Sequence, residues 1–232
     1  MQPKTTIWDL EPHTAAKHDI LRRYLQAWIP ILSQGKFPQL VFIDGFAGPG
    51  RYSQGEEGSP VIAVKAALEQ RLPISAKLDF HFIELDKRRS EHLATELAAI
   101  TLPSNFTTKI HGQRTFQDAF PEVWQRYTPK TGKRPPTFVF IDPFGIKIPF
   151  SYVSEILRAP NCEVLITFMF EEIGRFLSHE NFEERLDELY GCREWRDCLD
   201  KSLPPKVKEK RLHDLYQRQL SGVATHVRSF TM

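Results

Sequence analysis

A carboxylate followed by closely spaced glycines stands where the first strongly apolar run of the sequence ends. The stretch reads VFIDGFAGPG over Val41–Gly50, with Asp44 directly after the run and Gly45 and Gly48 behind it. Glycine lets a ligand approach the main chain closely and permits positive φ. Main-chain amides in such a loop can cradle an anion, and a carboxylate can bind a cationic group. The stretch predicts a small-molecule site at a strand end; the alternative is a tight turn that binds nothing.

A second acid follows the next apolar run. The run LDFHFIEL over Leu78–Leu85 ends at Glu84, and Asp86 comes two residues later. A carboxylate at such a strand end can accept both hydroxyls of a ribose. Glu84 is the better candidate because it follows the run directly, whereas Asp86 is better interpreted as the cap of a helix that begins at Lys87.

The glycine spacing differs from two common nucleotide motifs. A dinucleotide fingerprint reads G-x-G-x-x-G and enters its helix at once. Here eight residues, RYSQGEEG, separate Gly50 from Ser59, which we predict caps the next helix with Pro60 at its first position. This insertion disfavours a nicotinamide cofactor. The sequence also contains no GxxxxGK[ST] loop, so a nucleotide hydrolase is poorly supported.

Apolar periodicity predicts strands that alternate with helices. The predicted strands cover 40–43, 78–85, 106–110, 137–141 and 164–169. Strands and helices at this spacing indicate parallel crossovers and a sheet that is covered on both faces. Ligands bind such sheets beyond the carboxyl ends of the strands. The functional residues are therefore expected where the strands stop.

We expect one domain over 1–232. It comprises an N-terminal helical segment over 1–38, a Rossmann-like core over 39–170, a helical insertion over 171–222 and a last strand over 223–232. The sequence stops two residues after Phe230, so we expect either a shortened sheet or a final strand that is supplied otherwise. An edge left unpaired for this reason favours a partner or a dimer, without saying which.

The composition sets few limits on function. Of the 232 residues, 31 are Lys or Arg and 29 are Asp or Glu, a net charge of +2 that neither favours nor excludes nucleic acid. No apolar run reaches transmembrane length, so we expect no membrane association. The three cysteines lack metal-ligand spacing, and their odd number predicts a reduced, cytoplasmic protein with no metal site.

Several blocks of the sequence resemble known families. FIDGFAGPG followed by FIELD resembles motifs I and II of class I S-adenosylmethionine-dependent methyltransferases, and FAGPG is similar to the FxGxG loop of enzymes that methylate nucleic-acid bases. Four blocks in order are similar to the three-Cys-motif partner (TcmP) family: WDLEPHTAAKHDILRRYLQAWIPIL, VFIDGFAGPGRY, GSPVIA and FVFIDPFG. The resemblance implies an α/β methyltransferase-type Rossmann sheet. It also implies a partner, a radical-S-adenosylmethionine-like protein that carries the three cysteines of the name.

The resemblance also implies S-adenosylmethionine as cofactor and assigns residues to it. The loop around its methionine end is matched by Asp44, Gly45, Phe46, Gly48 and Gly50. Glu84 matches the acid that binds the ribose, and Leu85 would cover the adenine. Gln113 stands where related enzymes often have an aspartate that contacts the adenine amino group, and its carbonyl oxygen can accept the same hydrogen bond.

Catalytic residues are implied after the fourth predicted strand. Asp142, Pro143, Phe144 and Gly145 resemble the [DNS]-P-P-[YFW] motif of amino-methylating nucleic-acid enzymes. There the polar residue accepts hydrogen bonds from the target amine and the aromatic ring stacks on an extruded base. This sequence has phenylalanine for the second proline and glycine for the aromatic residue, so the alternatives for Asp142 and Phe144 are a strand-end cap and a core aromatic.

The N-terminal helix carries one further candidate. His13 and Lys17 are four residues apart, which places them on one helical face, and the H-x-x-x-K pattern is characteristic of the TcmP family. Lys17 would meet the carboxylate of the cofactor. The alternative is a solvated polar face on a docking helix, and we expect His18 at the surface.

Three functions remain open from the sequence. The first is an S-adenosylmethionine-dependent methyltransferase with nucleic acid as its substrate class. The second is a catalytically silent partner of the radical-S-adenosylmethionine-like protein, favoured by the altered DPFG motif and the shortened C-terminus. The third and least favoured is a nucleotide-dependent oxidoreductase.

Overall fold

A computed structural model describes residues 5–35, 37–129, 132–143, 148–168, 173, 182–200 and 202–230. The chain divides into two compact units. The larger unit comprises Gln2–Ile141 and Pro160–Leu165, and the smaller comprises Asp142–Ala159 and Ile166–Thr231. Most of the predicted helical insertion over 171–222 thus falls in a compact unit of its own, together with the helix that follows the fourth strand.

The sheet has five strands in the order β3-β2-β1-β4-β5. Their bounds are β1 Gln39–Asp44, β2 Lys77–Glu84, β3 Phe106–Gly112, β4 Thr137–Ile141 and β5 Cys162–Ile166. β1 pairs in parallel with both β2 and β4, and β2 pairs in parallel with β3. This is a Rossmann-like α/β sheet, as predicted. The strand order reverses at β1, so a ligand site is expected beyond its carboxyl end.

Helices connect the strands. In the larger unit they are α1 Pro12–Gln34, α2 Ser59–Leu68, α3 Lys87–Ala98 and α4 Phe116–Arg126. In the smaller unit they are α5 Phe150–Arg158, α6 Phe182–Tyr190, α7 Trp195–Cys198 and α8 Pro205–Ser221. α1 is followed by Gly35, whose amide donates to the carbonyl oxygens of Ile31 and Leu32 and so caps the helix. The N-cap of α2 is Gly58, so the prediction of Ser59 as the cap is wrong by one residue.

One face of the sheet packs against α1, α2 and α3. Its centre is a cluster of aromatic rings in which Phe42 lies 5.9 Å from Phe138 and 6.0 Å from Phe80, measured between ring centroids. Leu21 and Leu25 of α1 are fully buried in the same core. Successive side chains of β1 and β2 point to opposite faces of the sheet. The residues on either side of Phe42 and Phe80 in the sequence therefore face the other side of the sheet.

That other side carries a buried chain of polar groups between β2, β3 and the end of α4. The hydroxyl of Tyr127 donates to Asp79 Oδ2 at 2.9 Å and therefore accepts from Nε2–H of His81 at 2.7 Å. Nδ1 of His81 is then left to accept from Nε2–H of His111 at 3.0 Å. The chain thus requires His81 to be neutral, with its proton on Nε2, and requires His111 to carry a proton on Nε2.

The smaller unit has its own apolar core. Its largest members are Phe150, Tyr190, Trp195 and Tyr216, which pack with apolar residues of α6 and α8. All three cysteines of the protein are free thiols. The strand predicted at the C-terminus is wrong over the described residues 223–230, which form no strand and include no buried residue; Phe230 is 65% exposed.

Two absences concern only the residues that the structure describes. None of their helices combines the length and the apolarity needed to cross a bilayer. They also contain no cluster of three or more histidine, cysteine, aspartate or glutamate side chains that could hold a metal ion.

The buried histidines predict how stability changes with pH. Burial lowers the pKa of His81 to about 4, with the neighbouring His111 adding to the effect, and burial likewise lowers the pKa of His111 to about 4. Unfolded histidines titrate near ~6.5, so the unfolded chain binds more protons between these values. We expect the free energy of unfolding to fall on acidification through this window, by up to about 2.7 kcal/mol per pH unit for two protons.

Urea unfolding at pH values from about 7.5 to about 4.5 measures this slope. His81→Gln should reduce the slope, since it removes one of the two groups, while His213→Gln, at a more exposed position on α8, should leave it unchanged. A wild-type slope equal to that of His81→Gln would contradict the prediction.

Candidate cofactor-binding site

The loop that follows β1 is tied to the end of β2. The amide of Ala47 donates to the carbonyl oxygen of Ile83 at 2.9 Å, and the amide of Gly48 donates to Glu84 Oε2 at 2.8 Å. The other oxygen of Glu84 accepts from the amide of Asp86 at 2.8 Å. One carboxylate therefore joins the loops that follow two neighbouring strands.

Glu84 keeps hydrogen-bonding capacity in this position. Its side chain is buried, at 8% exposure. Burial raises the pKa of Glu84, and the amides of Asp86 and Gly48 together with the charge of Arg89 oppose that shift. A carboxylate oxygen accepts about two hydrogen bonds, so about one acceptor position remains on each oxygen. These are the positions that a ribose diol would fill.

The three glycines of the loop are required for different reasons. A Cβ on Gly45 would lie 2.7 Å from the ring of Phe116, and one on Gly50 would lie 2.8 Å from Leu93. A side chain at Gly45 would therefore displace the ring of Phe116, and one at Gly50 would displace Leu93 and adopt a φ of +83°. Gly48 has φ +65°, and a Cβ there would meet only Trp8, at 3.8 Å. Gly48 is thus the position where the missing side chain leaves main chain open to close approach.

Asp44 and Phe46 shape the start of the loop. Asp44 is fully buried at the end of β1, and its Oδ1 accepts from the amide of Phe46 at 3.0 Å. The ring of Phe46 stacks parallel to that of Phe116 at 6.0 Å. The carboxylate of Asp44 therefore stabilises the turn of its own loop, whatever it contacts besides.

The insertion after the loop folds back on itself. Arg51 and Glu57 form an antiparallel bridge, and the amide of Gly58 donates to the carbonyl oxygen of Gly50 at 2.8 Å. The N-terminus of α2 therefore lies against the glycine loop despite the eight intervening residues. The expectation that the insertion separates the two is wrong, because a short excursion closes where it opened. The insertion accordingly does not count against a dinucleotide.

α3 holds the loop from the other side. His92 Nδ1 lies 2.8 Å from the carbonyl oxygen of Pro49, and Arg51 Nε donates to Glu96 at 2.7 Å. Asp86 caps α3 by accepting from the amide of Arg89 at 3.0 Å, which confirms the interpretation of Asp86 as a cap. The glycine loop is thus fixed by contacts on two sides.

Two predicted adenine contacts are exposed at the same edge of the sheet. Leu85 follows β2 and is 49% exposed. Gln113 follows β3, is exposed and has φ +59°, a conformation that a non-glycine residue seldom adopts. Their roles as adenine contacts stay predictions.

The N-terminal helix differs from the expectation of a solvated face. Lys17 is 8% exposed and His18 is 7% exposed, so the prediction of His18 at the surface is wrong. The ring of His18 lies 5.7 Å from that of Tyr52, in the excursion after the glycine loop. His18 therefore packs against the excursion, a contact that helical spacing alone did not reveal.

The predicted catalytic residues belong to the smaller unit. Asp142 directly follows β4 and is half-buried, and Pro143 is buried. Phe144 and Gly145 lie outside the described residues. The motif is therefore observed only in its first two positions.

Trp8 and Arg89 are site residues that the sequence analysis did not single out. The guanidinium of Arg89 lies 4.8 Å from the centroid of the Trp8 ring, and Arg89 is 4% exposed. Trp8 precedes the first helix, where periodicity carries no signal, although it begins the first block of the TcmP resemblance.

Comparison with known proteins adds little. No family model and no curated protein matches the chain. Among solved structures it is similar to Trm1 from Pyrococcus horikoshii in complex with S-adenosyl-L-methionine, at 16% identity and a TM-score of 0.47. The match covers 96% of this chain and 52% of that chain, so this chain spans about half the length of Trm1. A likeness at this level leaves the site to be judged on its own geometry.

Gly50 and Gly55 lie in different surroundings, so we expect alanine to lower the free energy of unfolding by different amounts at the two positions. Gly50→Ala places a Cβ at φ +83° and 2.8 Å from Leu93, whereas Gly55→Ala places one at φ +92° with no atom within 4 Å. We expect Gly50→Ala to lower the free energy of unfolding by about 2–4 kcal/mol and Gly55→Ala by about 1–2 kcal/mol. Urea unfolding of both variants checks this; equal losses would show that Leu93 moves aside without cost.

Proposed function

We propose that the chain binds S-adenosylmethionine through the loop after β1 and the carboxylate of Glu84. The observation that supports this is the placement of Glu84, which joins that loop to β2 and keeps one acceptor position on each oxygen. Beside it lies Gly48, the loop glycine with open space in place of a side chain. A ribose on Glu84 would bring the rest of the ligand across Gly48.

The charges of the candidate residues match those of the proposed ligand. Asp44 supplies a buried acid near the start of the loop for the ammonium group or for water that solvates it. Leu85 supplies apolar surface and Gln113 an amide carbonyl for the adenine, and Lys17 supplies a cation for the carboxylate. Membership of the TcmP family is part of this proposal, on the four matching sequence blocks.

We further propose methyl transfer to an amine of a nucleic-acid base. The bound sulfonium would supply an electrophilic methyl group, so the protein's task is chiefly alignment. Asp142 would accept a hydrogen bond from the target amine, Pro143 would hold the turn and Phe144 would stack on the base. Asp142 follows β4, the strand next to β1 in the sheet.

A second function is supported by the sequence of the same motif. DPFG lacks the second proline and the aromatic residue of amino-methylating enzymes. The chain would then bind the cofactor without transferring its methyl group and would serve as partner to the radical-S-adenosylmethionine-like protein. The two functions differ in whether Asp142 supports any turnover.

Calorimetry tests cofactor binding. Wild-type protein should bind S-adenosylmethionine and its demethylated product S-adenosylhomocysteine. Glu84→Gln should weaken both by about 10- to 100-fold, because it removes one acceptor and weakens the hold on Gly48. Gly48→Asp should abolish binding by filling the open space with a carboxylate.

The matched control is Glu91→Gln, which changes an exposed acid of α3 whose Oε1 lies 3.8 Å from Nζ of Lys87. It should bind as wild type does. Failure of the folded wild-type protein to bind either compound would refute the proposed cofactor.

Transfer of a labelled methyl group to total RNA and DNA separates the two functions. Under the methyltransferase proposal, wild-type protein should label nucleic acid and Asp142→Ala should lose at least about 100-fold of that rate, the usual scale for a residue aligned on the reacting group. Cofactor binding without any labelling, equal in both proteins, would favour the silent partner.

A further inference from the structure

The segment before α1 lies across the proposed site. We call residues 5–10 the N-terminal strap; its central side chain is Trp8. Among the residues that the structure describes, the one atom within 4 Å of the position that a Cβ on Gly48 would take is Cη2 of the indole, at 3.8 Å. Trp8 therefore borders the open space beside Gly48, on the same residue whose amide is held by Glu84.

The strap is held in place by the excursion that follows the glycine loop. The carbonyl oxygen of Trp8 accepts from the amide of Ser53 at 3.0 Å, and Asp9 accepts from the hydroxyl of Ser53. The ring of Tyr52 meets the indole edge to face at 5.6 Å. Main chain and side chain of Trp8 are therefore both positioned by the larger unit itself, without a ligand.

Arg89 determines which part of the indole a ligand can meet. Its guanidinium lies over the ring at 4.8 Å, and one of its nitrogens reaches the carbonyl oxygen of Thr5 at 3.5 Å. This cation occupies a face of the indole, while the ring edge at Cη2 is directed to Gly48. A ligand that crosses Gly48 would therefore contact the edge of the indole.

We propose that Trp8 is a ligand-contacting residue that forms the wall of the cofactor site beside Gly48. Resting on the proposed function, this places the indole edge against the part of S-adenosylmethionine between the ribose on Glu84 and the methionine held by the loop. The contact is van der Waals in nature. Since Arg89 already supplies the cation over the ring, Trp8 does not distinguish the charged sulfonium from the neutral thioether.

Calorimetry on Trp8→Ala and Trp8→Phe tests the proposal. Trp8→Ala should raise the Kd of S-adenosylmethionine and of S-adenosylhomocysteine by the same factor, about tenfold or ~1.4 kcal/mol. Trp8→Phe should give a smaller increase, because part of the ring remains. Leu72→Ala is the matched control: it removes an exposed apolar side chain, 58% exposed, in the connection that leads to the amino end of β2.

Each outcome has a separate meaning. If wild-type protein binds the cofactor and Trp8→Ala binds it equally well, Trp8 does not form a wall of the site. The proposed cofactor is unaffected by that result. Tighter binding by Trp8→Ala would show that the indole occupies space that the ligand needs. This result would also contradict the proposal. If Trp8→Ala weakens the binding of S-adenosylmethionine alone, the proposed edge contact is wrong and the indole contacts the sulfonium through a cation–π interaction. No binding by wild type removes the cofactor proposal and this one together. If Trp8→Ala fails to fold, Trp8→Phe and Trp8→Leu carry the comparison.

Discussion

The carboxylate of Glu84 couples the two loops that form the candidate site. With one oxygen on the amide of Gly48 and the other on the amide of Asp86, it fixes the spacing between the ends of β1 and β2. Burial makes this arrangement costly for a charged group, and the two backbone donors offset the cost. Hydrogen bonds within the protein therefore fix the loop and the acid relative to each other.

Close packing explains which residues surround the loop. Phe116 and Leu93 fill the positions beside Gly45 and Gly50, so two of the three glycines serve packing and one leaves an opening. His92 and Arg51 then hold the loop against α3. The glycine loop is thus held on two sides, and the excursion after it holds the strap that carries Trp8.

The strands and their ends were predictable, and the contacts between segments were not. The strands that end at Asp44 and Glu84 are buried at every position after the first because both faces of the sheet are covered, and their concentration of large apolar residues is visible in the sequence. The fold of the excursion over 51–58 was missed, since a bridge between Arg51 and Glu57 leaves no periodic pattern. The C-terminal strand was wrong because HVRSF has the length of a strand but too little apolar surface to be buried.

Local chemistry along the chain established the sheet, its carboxyl edge and the acids and glycines placed there, because strand periodicity and turn residues act between near neighbours. Folding in three dimensions assigned the roles: which glycine is open, which atoms Glu84 joins, why His18 is buried and why Trp8 lies beside Gly48. Those roles arise from contacts between segments far apart in the sequence; Gly48 and Glu84, for example, are 36 residues apart. Such contacts depend on the volumes and directions of side chains in the folded protein, which the sequence alone does not show.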